Sequence, residues 1–262
     1  RSPDDYEVSI DGFTITNTLL TELTVEKIWG GVDGESQQEV TVGLYRTADE
    51  DTAPQEVLDA DGEHVKISLN ADNGWENVFT SLPRFDEQGN RYIYSVKELT
   101  IGGKPADDAG YIINISYGAN GASISNIMPI DITGSKTWKD NSNAYNTRPE
   151  EITLTLYRSI AGGDEMEVEA SPTWQKDGNV WSYKYTGLPK TDDSGNAYTY
   201  RVEETVPENY TSSQDGNDIT NTLTGTVDIP VTKVWKDGGN ADGLRPDSVT
   251  VVLYANGTEV RR

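Results

Sequence analysis

The stretch Tyr198-Thr-Tyr-Arg-Val-Glu-Glu204 alternates large apolar side chains with polar ones. A second stretch, Tyr92-Ile-Tyr-Ser-Val-Lys-Glu98, has the same spacing of aromatics and the same closing glutamate. A period of two places every second side chain on one face of a β-strand. Both stretches therefore predict strands. Their final glutamate falls on the apolar face, where another hydrophobic residue is expected.

The surrounding sequence continues this pattern. Similar alternation occurs in residues 40–46 and 151–158, and clusters of Gly, Asn, Asp and Ser separate the alternating segments. No segment has an apolar stripe with helical spacing. Many short strands divided by turns are typical of an immunoglobulin-like sandwich, so the predicted fold class is all-β, built from sandwich repeats.

Motifs return in the same order at a spacing of roughly 100 residues, which indicates tandem domains. Each unit has a lysine strand, a Leu-Tyr strand, a tryptophan, a Leu-Pro turn, a Gly-Asn turn, the aromatic strand and an asparagine strand. We predict two complete repeats, residues 20–128 (repeat 1) and 129–223 (repeat 2). Residues 1–19 match the closing strand of a preceding repeat, and residues 224–262 match the opening part of a following one. The very short linkers predict a stiff string of domains.

Polar residues of three kinds fall on inward positions of the predicted strands. They are the lysines Lys27, Lys136 and Lys233, the glutamates Glu98 and Glu204, and the asparagines Asn17, Asn126 and Asn221. A tryptophan follows each lysine by two positions and is predicted to shield it. Burial of an unpaired charge is costly, so a buried lysine tends to lose its proton and a buried carboxylic acid tends to keep one.

Those protonation states suit amide exchange. A neutral lysine amine can attack the carboxamide carbon of asparagine. A protonated glutamic acid can polarise that amide and carry protons to the departing ammonia. The inward residues therefore predict an amide cross-link that the chain makes within itself, once per site. A buried ion pair without a covalent bond is the alternative.

Composition excludes several other functions. The 262 residues carry a net charge of −23, which argues against binding to nucleic acid or to an anionic membrane. The absence of cysteine and the single histidine, His64, exclude a thiolate or polyhistidine metal site and disfavour a Ser-His-Asp triad. Asp59-Ala-Asp-Gly-Glu63 offers oxygen ligands for calcium, but a solvated acidic turn is the simpler interpretation. We expect no metal and no cofactor.

Targeting and membrane segments are not evident. No stretch is apolar for long enough to cross a bilayer, so we expect no membrane contact in this segment. No signal peptide opens the sequence, and we expect the targeting signals to lie elsewhere in a longer protein.

The three motifs together resemble the B-type repeat of Gram-positive collagen adhesins, the Cna B-type domain of surface proteins and pilins. The resemblance covers both complete repeats and both partial ones. It rests on residues 231–237 (VTKVWKD), 198–204 (YTYRVEE) and 219–223 (ITNTL).

The resemblance implies roles for the inward polar residues by motif match. In repeat 1, Lys27 would bond to Asn126 with Glu98 assisting. In repeat 2, Lys136 would bond to Asn221 with Glu204 assisting. Asn17 would partner a lysine upstream, and Lys233 an asparagine downstream.

Repeat 1 departs slightly from the family pattern. Its closing strand reads Ile124-Ser-Asn-Ile-Met128 where the others read Ile-Thr-Asn-Thr-Leu. Asn114 and Asn120 lie nearby as less favoured acceptors. In repeat 2 the extra acid, Glu203, is expected to face outward.

We therefore expect a structural stalk segment of a bacterial cell-surface adhesin or pilus-like protein, not a turnover enzyme. If the first and last strands of a repeat pair in parallel, tension along the string passes through the cross-link. The expected partners are neighbouring repeats of the same polypeptide, and the expected location is extracellular, with wall anchoring through other regions. The alternative function is that the repeats themselves bind a host protein or glycan.

Overall fold

A computed structural model describes residues 5–119, 121–224, 228–255 and 257–261. The chain divides into two compact units, Arg1–Thr224 and Gly225–Arg262. The described residues contain β-strands and three short 3-10 turns (Gly34–Ser36, Ala71–Asn73 and Ala106–Asp108) but no α-helix. The predicted all-β class is confirmed.

Repeat 1 and the segment before it form two facing sheets. The strands are β1 (Tyr6–Asp11), β2 (Thr14–Gly30), β3 (Val40–Thr47), β4 (Gln55–Glu56), β5 (Lys66–Leu69), β6 (Glu76–Pro83), β7 (Ile93–Ile101), β8 (Lys104–Pro105), β9 (Ile112–Gly118) and β10 (Gly121–Ile127). One sheet has the order β1-β2-β10-β9, and β6 also pairs with β2. The second sheet has the order β4-β3-β7-β8, and β5 also pairs with β3.

Repeat 2 has the same plan in a simpler form. Its strands are β11 (Pro129–Lys139), β12 (Leu154–Ile160), β13 (Met166–Val168), β14 (Thr173–Asp177), β15 (Val180–Pro189), β16 (Tyr198–Glu204), β17 (Tyr210–Asp215) and β18 (Asp218–Leu223). One sheet has the order β14-β15-β11-β18-β17 and the other β13-β12-β16. Strand β7, which begins one residue after Tyr92, and strand β16 thus contain the two aromatic stretches that end in glutamate, and both lie in the sheet opposite the lysine strand.

The opening and closing strands of each repeat are parallel neighbours. In repeat 1, β2 pairs with β10 so that Lys27 is opposite Ile124 and Trp29 is opposite Asn126. In repeat 2, β11 pairs with β18 in the same register, with Lys136 opposite Ile219. Because side chains two apart on a strand share a face, the lysine and the asparagine become diagonal neighbours on the inner face.

Aromatic side chains fill much of each core. Trp29 packs edge-on against Trp75 with ring centroids 5.6 Å apart, and Trp138 packs in the same way against Trp181 at 5.3 Å. Edge-to-face pairs of this kind add to the gain from burial alone. Trp75 and Trp181, which hold equivalent positions in the two repeats, therefore each contact the tryptophan of the lysine strand.

The C-terminal unit is described by itself. It contains a hairpin of β19 (Leu253–Ala255) and β20 (Thr258–Arg261). It also contains an ion pair between Arg245 and Asp237 at 2.7 Å. In the described part of the chain we find no helix with the length and apolar character needed to span a bilayer.

Candidate cross-linking sites

Six polar side chains lie in the cores of the two repeats, at the predicted positions. Asn126, Lys136 and Asn221 have no exposed surface. Lys27, Glu98 and Glu204 are also buried. The outward orientation expected for Glu203 is found as well, since its carboxylate is exposed and pairs with Arg201 at 2.7 Å.

In repeat 2, one carboxylate oxygen contacts both partners of the expected bond. Oε1 of Glu204 lies 2.6 Å from Nζ of Lys136 and accepts a hydrogen bond from Nδ2 of Asn221 at 3.0 Å. The second oxygen, Oε2, accepts a hydrogen bond from the Ser212 hydroxyl at 3.2 Å. Lysine and asparagine come from adjacent strands of one sheet and the glutamate from the opposite sheet, so the site exists only after the sandwich has closed.

Repeat 1 has the same three residues with a different lysine position. Oε1 of Glu98 accepts a hydrogen bond from Nδ2 of Asn126 at 2.9 Å, and Nζ of Lys27 is 3.9 Å from that oxygen. Nζ instead donates to the backbone carbonyls of Ile28 at 3.1 Å and Ile124 at 3.3 Å. The carbonyls hold the amine close to the acceptor strand.

Burial shifts the pKa values in the direction that the chemistry needs. Loss of solvation lowers the pKa of Lys27 to about 7, although the nearby Glu98 carboxylate opposes this shift. The same loss of solvation raises the pKa of Glu98, against the opposing effects of Lys27 and Asn126. Burial also lowers the pKa of Lys136, while Glu204 favours its charged form. A lysine with a lowered pKa supplies neutral amine near neutral pH.

The acceptor amides have an unused oxygen. Among the described residues, Oδ1 of Asn126 and Oδ1 of Asn221 are buried without a hydrogen-bond partner. A buried carbonyl without a partner is costly to keep in a folded protein. This oxygen can also accept a hydrogen bond as negative charge develops on it during attack by the amine.

Each lysine amine also lies over the ring of the tryptophan two residues later. Nζ of Lys27 is 4.5 Å from the Trp29 ring centroid, and Nζ of Lys136 is 4.8 Å from that of Trp138. The rings cover the amines and keep water away. This is the shielding role that the sequence pattern predicts for these tryptophans.

The sequence pattern alone missed two features of repeat 2. Arg148 is bound by both oxygens of Asp140, at 2.8 and 2.6 Å, and covers Trp138 with its guanidinium carbon 5.3 Å from the ring centroid. The spacing Lys-Asp-x-x-Asn-x-x-x-x-Arg-Pro recurs at residues 139–149 and 236–246 and could have revealed it. The second feature is Ser212, for which repeat 1 has Ile113 at the corresponding position opposite the asparagine.

The predicted bond-forming residues of the partial repeats are not assembled into sites. Asn17 lies on β2 opposite Val8 and is exposed. Lys233 is exposed, with its Nζ 4.6 Å from the Trp235 ring centroid. Of the less favoured acceptors, Asn114 lies on β9 and bonds to Asp193, and Asn120 lies outside the described residues.

The other candidate groups have structural roles. Nε2 of His64 bonds to the Leu44 carbonyl at 2.9 Å, and its ring packs against Tyr45. Asp59 accepts hydrogen bonds from the backbone amides of Asp61 and Glu63, which closes the acidic turn. Within the described ranges, no group of three or more His, Cys, Asp or Glu residues could hold a metal ion.

Comparison with known families decides the relationship. The family described as "Cna protein B-type domain" matches residues 23–127, 132–222 and 229–262. The chain belongs to this family. The resemblance predicted from the three motifs is therefore confirmed, and so is the tandem arrangement of Cna B-type repeats.

Individual proteins and solved structures are also similar to this chain. The collagen adhesin of Staphylococcus aureus is 30% identical over 275 residues, which cover 99% of this chain and 21% of that protein. The chain thus spans about a fifth of this relative. Two B repeat units of the S. aureus collagen-binding protein are 28% identical, with coverage of 98% of this chain and 65% of that one and a TM-score of 0.31. The pilus adhesin SpaC of Lactobacillus rhamnosus GG is 13% identical, with coverage of 85% and 32% and a TM-score of 0.34.

Proposed function

We propose that this chain is a stalk segment of a bacterial cell-surface adhesin or pilus-like protein, in which Lys27–Asn126 and Lys136–Asn221 isopeptide bonds rigidify the two complete repeats. The observation that carries the proposal is the position of one glutamate oxygen between the amine and the amide in each core. We place the repeat boundaries at residues 20–128 and 129–223. Asn17 and Lys233 would form the corresponding bonds with flanking repeats.

The reaction needs no cofactor. The neutral lysine amine attacks Cγ of the asparagine, and the new C–N bond forms as the amine passes a proton to the glutamate. The glutamate returns a proton to Nδ2, the old C–N bond breaks, and ammonia leaves. The glutamate ends in its starting state, and one amide replaces another. Proximity within the closed core can supply about 7–11 kcal/mol of the barrier in well-aligned systems.

Glutamate geometry supports this proton path. In both repeats Nδ2, the leaving nitrogen, donates to the same oxygen that lies near the lysine. A proton taken from the amine therefore needs no further carrier to reach the leaving group.

The parallel pairing supports a mechanical role. Because β2 and β10 are adjacent and parallel, chain ends leave the repeat on opposite sides, and the same holds for β11 and β18. A bond between these strands would carry tension directly from one end of the repeat to the other. The interstrand hydrogen bonds would then be bypassed. Such a segment suits a stalk that holds a functional region away from the cell surface.

Intact mass spectrometry tests the proposal. Loss of one ammonia per repeat predicts a mass about 34 Da below that of the unmodified chain. The double variant Lys27→Ala and Lys136→Ala should show no deficit, and each single variant should show half of it. A folded wild-type chain with its full mass would refute the proposal.

Bond formation in repeat 1 is expected to accelerate with rising pH. The pKa of Lys27 is lowered to about 7, so the neutral amine is the minor form at pH 6 and the major form at pH 8. Unfolded, unbonded chain would be refolded at each pH, quenched in acid and digested, and the Lys27–Asn126 peptide quantified by mass. A rate that falls from pH 6 to pH 8 would contradict the assignment of Lys27 as the nucleophile.

A further inference from the structure

Repeats 1 and 2 contact each other through a specific polar surface at their junction. They belong to one compact unit. The backbone amide of Met128 donates to the Gly30 carbonyl at 2.9 Å, and the amide of Lys190 donates to the Met128 carbonyl at 3.0 Å. The Lys190 side chain also reaches back, with Nζ donating to the Gly31 carbonyl at 3.0 Å. The end of the lysine strand in repeat 1 is thus bonded to the linker and to the Leu-Pro turn of repeat 2.

Among the described residues, two hydrogen bonds join one side chain to another across this junction, and a single carboxylate accepts both. Oδ1 of Asp193, in repeat 2, accepts hydrogen bonds from Nδ2 of Asn114 at 2.7 Å and from the Ser125 hydroxyl at 2.9 Å. Both donors belong to repeat 1. Hydrogen bonds to an ionised acceptor are stronger than neutral ones. Ser125 directly precedes the acceptor Asn126, so Asp193 holds the strand that carries the expected cross-link.

Asp193 is not needed to form its own turn. The preceding residue, Asp192, accepts from the amides of Ser194 and Asn196 and from the Asn196 side chain. Asp86 makes the same set of bonds in the corresponding turn of repeat 1. The carboxylate of Asp193 is therefore free to bind the neighbouring repeat.

Two glycines make room for the close approach. A Cβ at Gly30 would lie 2.3 Å from Oγ1 of Thr191, and one at Gly31 would lie 2.5 Å from the Lys190 side chain. Thr191 is only 3% exposed, whereas Phe85 at the corresponding position of repeat 1 is 43% exposed.

The fold of a repeat does not itself require glycine at position 30. In repeat 2 the corresponding residues are Lys139 and Asp140, and Asp140 binds Arg148 within its own repeat. At position 30 the neighbouring repeat requires glycine, because an added Cβ would meet Thr191, whereas at position 31 the positive φ of 71° by itself favours glycine.

We propose that this junction, centred on Asp193 and on Gly30, is a docking surface through which repeat 2 binds repeat 1, so that the two move as one rigid body. The partner of repeat 1 is repeat 2 of the same chain. Repeat 1 binds it through the Ser125 hydroxyl, the Asn114 carboxamide and the backbone carbonyl of Gly31. The docking surface is independent of the proposed cross-links, because none of its contacts involves the bonding side chains.

Distance measurements between the repeats test the docking. The chain has no cysteine, so Thr80→Cys and Ser182→Cys, on exposed strand positions of repeats 1 and 2, give two unique sites for nitroxide labels. Pulsed electron–electron double resonance should give one narrow peak in the distribution of label-to-label distances for the otherwise native chain. Asp193→Ala and Gly30→Lys should each lose that narrow peak.

Matched variants separate docking from general damage. Glu87→Ala removes the acid at the corresponding turn position of repeat 1, and Gly118→Ala adds a methyl group at a glycine with nothing within 4 Å, so both should keep the narrow peak. If Gly30→Lys fails to fold, Asp193→Ala and Lys190→Ala still decide the matter. A broad distribution in the native chain, or a narrow peak retained in Asp193→Ala, would overturn the docking. An intact mass on each sample shows separately whether the cross-links are present, so a full mass with a narrow peak would reject the proposed function alone.

Discussion

Replacement of Asn221 by alanine is expected to destabilise repeat 2 by roughly 4–5 kcal/mol through chain entropy alone, by analogy with a disulfide that closes a loop of this length. The bond would link Lys136 to a residue on the far end of the repeat, so the cross-linked unfolded chain has far fewer conformations than the open one. The variant also leaves the Lys136 and Glu204 side chains buried without their amide partner, which adds to the loss.

Thermal unfolding followed by circular dichroism measures the effect. A change of 1 kcal/mol shifts the midpoint by about 4–8 °C in a domain of this size, so the transition of repeat 2 should fall by tens of degrees. The neighbouring Thr222→Ala is the control, because Thr222 is exposed on the same strand. Similar midpoints for Asn221→Ala and Thr222→Ala would mean that no covalent bond stabilises this repeat.

Replacement of Glu204 by glutamine is expected to leave repeat 2 folded but unbonded over the time in which the wild type reacts completely. Glutamine has nearly the same shape, yet it cannot carry a proton from the Lys136 amine to the Asn221 nitrogen. General acid–base catalysis contributes about 10²–10⁴-fold to a rate, and bond formation should slow by that factor. Apart from the mass change of the substitution itself, the mass should rise by that of one ammonia, and a digest should yield the Lys136 and Asn221 peptides separately.

Glu203→Gln is the matched control for this prediction. It makes the same chemical change one residue away, on an exposed side chain that pairs with Arg201. Its mass should differ from that of the wild type only by the substitution itself, with the full ammonia deficit retained. Bond formation at the wild-type rate in Glu204→Gln would remove the glutamate from the mechanism and leave proximity as the main source of catalysis.

The two sites are not equivalent, although their residues match. Ser212 donates to Oε2 of Glu204, but Oε2 of Glu98 is buried with no partner among the described residues, because the corresponding position is Ile113. Burial raises the pKa of Glu98 through loss of solvation, which favours the protonated acid in repeat 1. The longer Lys27–Glu98 distance, 3.9 Å against 2.6 Å for Lys136–Glu204, agrees with weaker charge pairing in repeat 1.

Much of the fold and of the site could be predicted because strand patterns are local. The period-two alternation around Tyr200 and Tyr94 indicates strands, and it also predicts which face of the strand each residue occupies. A lysine or glutamate on that face is conspicuous, since unpaired burial is costly. The resemblance to Cna B-type repeats then implied which of these residues pair, without any distance.

Strand alternation did not reveal the roles of Arg148 and Asp193. Each acts through a partner outside its own strand: Arg148 covers Trp138 across a loop, and Asp193 crosses to another repeat. An exposed acid in a Gly-Asn turn has the same local pattern whether or not a neighbouring domain binds it. Glu87 in repeat 1 and Asp193 in repeat 2 illustrate this.

Local pattern was thus enough to establish an all-β chain of repeats and the inward position of the Lys, Glu and Asn side chains, because alternation along a strand depends only on backbone geometry. Tertiary packing decided which residues of different strands or different repeats are in contact. The parallel register that places Lys136 diagonal to Asn221 is one case, and the delivery of Glu204 from the opposite sheet is another. The docking of Thr191 against Gly30 is a third. These contacts join residues far apart in sequence, and only closure of the sandwich and burial of its core bring them together.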